Sequence, residues 1–266
     1  MAQVSVIIPT LRDESQIEVL DALERQTLQD FEVLIQTEKN ASKARNVGVS
    51  SASSEKLIFL DDDSEPAKTH LEVADKTLEH HSLVAGRIIS NKDGVLGDLS
   101  DHYDHGNKGK YVDMATGCNM AIHRKVFDTI GGFDENLAWG HEESDLVKRA
   151  KQNGYDVWYE PNMVVDHQYV DSIPDFFRKK WTFGREAIYY HRKHDYRFAD
   201  RLRKCIPLAP GSGSISEFII QSLAKGVWGS AQIYELLFGD IPDHQQAKDS
   251  RTCLPRGLDS RHSVSP

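Results

Sequence analysis

Four short apolar runs recur early in the chain, "QVSVIIPT", "FEVLIQT", "KLIFLDDD" and "LVAGRII", separated by stretches of helical spacing. β-Branched and aromatic residues favour extended backbone, and near-continuous apolar runs belong to strands buried on both faces. Between them, "DESQIEVLDALERQ" puts Ile17, Leu20 and Leu23 on one helical face. "NASKARNVGVSSA" reads as a short helix capped by Asn40, and "PAKTHLEVADKTLEHH" as a helix opening at Pro66 with Leu71, Ala74 and Leu78 inward. Strands alternating with helices of ordinary length dictate an α/β fold: a doubly wound, mostly parallel sheet with helices on both faces. Ligands of such sheets sit beyond the carboxyl ends of the strands. Pro9 and Thr10 end the first strand, Glu38 follows the second, and Asp61, Asp62 and Asp63 end the third.

The rest of the chain is less regular. "GVLGDLSDHYDHGNKGKYVD" reads as a loop, and "MATGCNMAIHRKVFDTIGGFDE" as a strand, a short helix and a glycine turn. "HEESDLVKRAKQNGY" is a helix with Leu146, Val147 and Ala150 on its apolar side and Asn153-Gly154 as its stop, and "DVWYEPNMVVDHQ" is a strand pair or extended segment. The expected division is residues 1–204 as the main domain, 205–242 as a helical extension and 243–266 as a polar, disordered tail.

Composition narrows the function. A net charge of -9 argues against nucleic acid, whose binding needs Lys and Arg to neutralise phosphates. Cys118, Cys205 and Cys253 are odd in number and form no CxxC, so a reducing cytoplasm is the expected setting. No basic-then-apolar leader and no membrane-length apolar run is found. "SISEFIIQSLAKGVWGSAQIYELLFG", interrupted by Glu217, Lys225 and Glu235, is an amphipathic helix for the core, for an oligomer contact or for a membrane surface.

Three constellations carry chemistry. The aspartates have a simple reading as a cap, with Asp63 or Ser64 starting the following helix; yet one acid suffices for a cap. Residues two apart in extended chain share a side, so Asp61 and Asp63 form an Asp-x-Asp pair suited to Mg2+ or Mn2+ with substrate phosphates, with Asp62 pointing away. Glu142, Glu143 and Asp145 open a helix. Dipole complementation explains Asp145, but not the preceding Trp139-Gly140, an aromatic wall beside a permissive hinge. A carboxylate beside such a wall suits proton abstraction from a sugar hydroxyl. His167 follows the apolar "MVV" and stands at another strand end, as a surface residue or as a metal ligand.

"VSVIIPT", "ASKARNVGV", "IFLDDDSEP", "ATGCNMAIHR", "IGGFDE", "WGHEESDLVKRAKQNGYDVWYEP" and "VVDHQ" occur in an order and spacing that resemble family-2 glycosyltransferases with the GT-A fold, over about residues 4–168. The resemblance implies that Pro9, Thr10 and Glu38 meet the base and ribose, and that Arg45 and Asn46 lie near the base and diphosphate. It also implies that Asp61 (toward the ribose), Asp62, Gly117 and Asn119 line the nucleotide-sugar site. Asp63, Asp61 and His167 would hold the metal, and Trp139 and Gly140 would face the acceptor. Glu142 and Glu143 match the family's Glu-Asp pair, with Glu143 favoured as base. The chain departs in having Glu-Glu there, and in the short "IQTEKNASKARN" loop offering Glu38 where an aspartate is usual.

The implied activity is that of an inverting, hexosyltransferase-type enzyme. It moves sugar from a nucleotide-diphosphate sugar, a UDP-sugar by family analogy, to a hydroxyl on a glycan or lipid-linked acceptor. Arg45 is expected as a positive partner of the leaving diphosphate. Two other classes compete: a metal-dependent nucleotidyltransferase or nucleotide-sugar hydrolase, and a non-catalytic nucleotide-sugar-binding protein. The basic aromatic stretch from Phe176 to Lys204 is either a solvated helix face or a surface for anionic lipid or a lipid-linked diphosphate, the latter placing the protein at the inner face of the membrane.

Overall fold

The computed structural model describes residues 2–90, 94–101, 104–196 and 215–241. Strand β1 (Val4–Pro9) lies between β2 (Phe31–Gln36) and β3 (Lys56–Phe59), parallel to both. Beyond β3 comes β7 (Met120–His123), antiparallel, then β5 (Leu83–Ile89) and, parallel to β5, β8 (Val157–Asp166). The short antiparallel β6 (Lys110–Val112) and β4 (Glu65–Pro66) pair with opposite ends of β8. These pairings give β1, β2, β3, β5 and β8 a common direction, so the eight-stranded sheet is mixed but mostly parallel. The fourth strand of the sequence, β5, is not the neighbour of β3: β7 is inserted between them.

Each strand feeds two cores because alternate residues face opposite ways. Val4, Val6 and Ile8 pack with Val19 and Leu23 of α1 (Val19–Glu24) and with Leu71, Ala74 and Leu78 of α3 (His70–Leu78). On the other face, Ile7, Leu57 and Phe59 meet Val49 of α2 (Ala41–Ser51), Val126 and Phe127 of α5 (Arg124–Ile130), and Leu146, Val147 and Ala150 of α6 (Glu142–Gln152). Burying each Val, Leu, Ile or Phe among them stabilises by about 1.5–3 kcal/mol, which fixes the strand ends that carry the polar residues.

Several local expectations need correction. Pro66 does not open a helix: it pairs with Val165 in β4, and α3 starts at His70 without a side-chain cap, so neither Asp63 nor Ser64 caps it. The first helix is shorter than its pattern, because Glu14–Gln16 forms a 3-10 turn and the Val19 N–H is taken by the Asp62 carbonyl. The stretch expected as a loop after β5 contains a helix, α4 (Val95–Asp101), with Leu99 buried, and the strand β6. "DVWYEPNMVVD" is one strand with a register shift opposite Gly86 and Arg87. The Asn40 cap of α2 and the glycine turn at Gly131 and Gly132 are as expected.

Helix α7 (Ile173–Lys193) begins with the Ser172 side chain accepting from the Asp175 N–H, and α8 (Ile215–Phe238) packs along it. The contact is close: a β-carbon on Gly184 would lie 2.4 Å from the Trp228 carbonyl oxygen. No helix among the described residues is long and apolar enough to cross a membrane. The expected tail from residue 243, and Arg197, Arg201 and Arg203 of the basic stretch, lie outside the described residues.

Candidate active site

A cavity of about 740 Å3 opens at the carboxyl ends of β1 and β3. Its walls bring together Pro9, Thr10 and Glu38, the three aspartates, Arg45, Glu142 and Glu143, Trp139, and His167 from the end of β8. Residues far apart in sequence meet there because β1, β3 and β8 end, and α6 begins, at this edge of the sheet.

The acids are organised in two directions. Asp63 Oδ1 lies 3.1 Å from His167 Nε2, and Asp61 Oδ2 lies 3.9 Å from the same nitrogen. Burial pushes the Asp63 carboxyl up, but the His167 hydrogen bond and charge, with Arg12 nearby, outweigh it and hold it below the usual range. Burial pushes His167 down, yet the bond to Asp63 and the charges of both aspartates raise it. Asp62, expected to point away, lines the same cavity and shares Arg12 with Asp63. It accepts from the Thr10 hydroxyl, lies 3.6 Å from Arg12 Nε, and is raised by burial. Asp61 and Asp63 approach the same imidazole nitrogen, and carboxylate with imidazole donors there suit a divalent cation.

Arg45 and the second acidic pair form the floor. Arg45 is 4% exposed; its Nη2 donates to Asp61 at 3.2 Å and its Nη1 to Glu142 at 3.3 Å. Burial opposes its charge, but Asp61, Glu143 and Glu142 hold it protonated. Arg45 is therefore a strut between two acids rather than a free cation for phosphate. Glu142 is buried, and burial with the Glu143 charge pushes its carboxyl well up despite Arg45. Glu143 is half-buried, lines the cavity, and accepts the Gly117 N–H at 3.0 Å. A β-carbon on Gly117 would lie 2.4 Å from Arg45 Nη2 and 2.9 Å from Glu143 Oε1, so only glycine lets these three meet.

Other expected site residues serve the frame. Asn46 does not line the cavity: its side chain donates to the Phe133 carbonyl and accepts the Phe133 N–H, pinning the turn after α5. Asn119 is fully buried and ties the Arg87 and Met163 carbonyls to His70. Gly140 is not the hinge. The left-handed residue is His141, at φ 68°, and a β-carbon on Gly140 would lie 2.6 Å from the Phe183 ring. Asp145 is not a solvated dipole partner either: fully buried, it meets Lys193 at 2.6 Å, His194 at 2.8 Å and Arg149 at 2.6 Å, fastening α6 to α7.

Sequence reasoning missed what α7 contributes. Arg178, Lys179, Thr182 and Phe183 line the cavity, so the basic stretch is a wall of the site. Glu186 accepts the N–H of Trp139 at 3.2 Å and of Gly140 at 2.9 Å, holding the loop before α6. Cys118 lines the cavity too, and no periodicity marks it. Burial raises Glu186 to about 7, against the backbone N–H groups of Trp139, Gly140 and Ala138. A carboxyl raised in the folded state contributes most below its ordinary range near 4.5 and loses that contribution as pH climbs to about 7. Wild type should therefore lose melting temperature relative to Glu186→Gln between those values, measured by parallel thermal melts; a constant difference across that window would show that Glu186 is not shifted.

The comparisons agree with this geometry. Residues 34–131 match the model of Glycosyl transferase family 2, and residues 104–173 match that of the N-terminal domain of galactosyltransferase. Over residues 34–131 the chain is thus similar to family-2 glycosyltransferases. Pre-mycofactocin glycosyltransferases from two strains of Mycobacterium tuberculosis are 26% identical to it in a 215-residue alignment that covers 74% of this chain and 43% of theirs. The chain thus spans less than half the length of these relatives. A mannosyltransferase from Pyrobaculum calidifontis, solved in complex with GDP-Man and Mn2+, shares the GT-A fold with a TM-score of 0.54 at 15% identity, covering 94% of this chain and 79% of that one.

Proposed function

We propose that the chain transfers a sugar, with inversion, from a nucleotide-diphosphate sugar to a hydroxyl on a glycan or lipid-linked acceptor. The observation that carries this reading is one cavity holding both the Asp61, Asp63 and His167 cluster and the accessible carboxylate of Glu143. Thr10 and Glu38 would border the base and ribose. Asp61, Asp63 and His167 would hold Mg2+ or Mn2+, which, when bound, supplies Lewis-acid stabilisation of charge on the leaving diphosphate. Arg12 and Lys179, rather than Arg45, would add the positive side chains. Trp139 would pack against the acceptor sugar, and Glu143 would take the proton from its hydroxyl as that oxygen attacks opposite the departing diphosphate.

Arg178 and Lys179 on the cavity wall favour an acceptor carrying an anionic group, as a lipid-linked sugar does. Ile219, Leu223, Ile233, Leu237 and Phe238 of α8 are exposed, and we read that face as a peripheral contact with anionic membrane. Flotation with liposomes containing anionic lipid should carry the protein upward; recovery of all protein in the bottom fraction would remove this part of the reading.

The central test is a thermal-shift screen of uridine and guanosine nucleotide sugars with Mn2+. A donor at a hundred times its dissociation constant should stabilise by about 2.7 kcal/mol, and chelation with EDTA should erase the shift. No shift with any donor would revive a role outside nucleotide-sugar chemistry. Free diphosphate released while a nucleotide sugar is formed would favour nucleotidyl transfer.

A further inference from the structure

The cavity contains a ligand that hard-cation chemistry does not use. Cys118 is 3% exposed, lines the cavity, and its thiol has no hydrogen-bond partner among the described residues. Its sulfur, a carboxylate oxygen of Asp61 and a ring nitrogen of His167 all lie within 4.8 Å of one another. Asp63 bonds the same imidazole at 3.1 Å but stands outside that group.

We propose that this cluster also binds a thiophilic divalent cation, such as Zn2+ or Co2+, through the Cys118 thiolate together with Asp61 and His167. Sulfur is a poor ligand for Mg2+ and a good one for zinc, and a site of given donors binds zinc more tightly than manganese. Thiolate, imidazole and carboxylate are zinc's usual protein ligands, and four of them complete its tetrahedral shell. Cys118, Asp61 and His167 supply three of the four. On the transfer reading above, zinc would compete with Mn2+ for Asp61 and His167, although the binding claim stands on the ligand cluster alone. Binding releases the thiol proton to solvent, and sulfur's electron pair forms the new bond to the metal, with no change of oxidation state.

The test uses the full chain, stripped of metal and titrated with CoCl2. A thiolate-to-cobalt charge-transfer band should rise to saturation at one equivalent and vanish on adding Zn2+. It should persist in Asp63→Asn and be lost in Cys118→Ser, with zinc affinity by competition falling at least about tenfold, the loss seen even for outer-shell partners. A folded wild type without the band, or an undiminished band in Cys118→Ser, overturns the proposal. If Cys118→Ser does not fold, alkylation of the wild type decides, read on the peptide containing Cys118. Equimolar Zn2+ should slow it at least about tenfold while Mg2+ does not, and equal rates overturn the proposal. Loss of this signal leaves the Mn2+ thermal-shift result unaffected, so the two readings fail separately.

Discussion

Replacing Glu143 by Gln should lower turnover by about two to four orders of magnitude while leaving nucleotide-sugar binding intact. Glutamine keeps the shape of the side chain, and its carbonyl can still accept the Gly117 N–H now held at 3.0 Å. It cannot accept a proton from an acceptor hydroxyl. Glu143 and Glu142 are neighbours in sequence but not in environment. Both line the cavity at the first turn of α6, but Glu143 is half-buried whereas Glu142 is buried against Arg45. A base must reach the substrate, so exposure decides between them. Turnover measured with donor at saturation, together with the donor-induced thermal shift, separates the two effects. Near-normal turnover in Glu143→Gln would transfer the role to Glu142.

How much of this was legible follows from what each signal encodes. Strand ends were legible because apolar runs stop where polar residues begin, and that alone located Thr10, Asp61 and His167. The pairing order was not, since an apolar strand carries no mark of its neighbour; β7 could be seen as a strand but not as one that separates β3 from β5. Side-chain direction was harder still. Asn46 and Arg45 are adjacent on α2, yet one turns to the Phe133 turn and the other into the floor of the cavity. Cys118 and Asn119 likewise diverge, one into the cavity and one into the core. Glu186 and Lys179 sit on a helix whose composition announced charge but not the surface it would meet.

Arg45→Met should destabilise the fold by about 3–5 kcal/mol, because it leaves a buried carboxylate without its cation. For a domain of this size that lowers the melting temperature by roughly 6–20 °C. The guanidinium reaches Asp61 with one nitrogen and Glu142 with another, and its carbon lies 5.4 Å from the centre of the Phe133 ring. Methionine fills much of that volume but supplies no charge, so Glu142 must either stay ionised in a poor environment or take up a proton. Arg45→Lys should fall between the two, since one ammonium cannot fork to both acids in fixed geometry. The decisive comparison is a double-mutant cycle with Glu142→Gln. If the carboxylate left behind is the source of the loss, Arg45→Met/Glu142→Gln recovers part of it, and the two substitutions are non-additive. Were Arg45→Met to melt within about 2 °C of wild type, under about 1 kcal/mol, Arg45 would be a replaceable cation, and a direct role at the diphosphate would again be the better account of it.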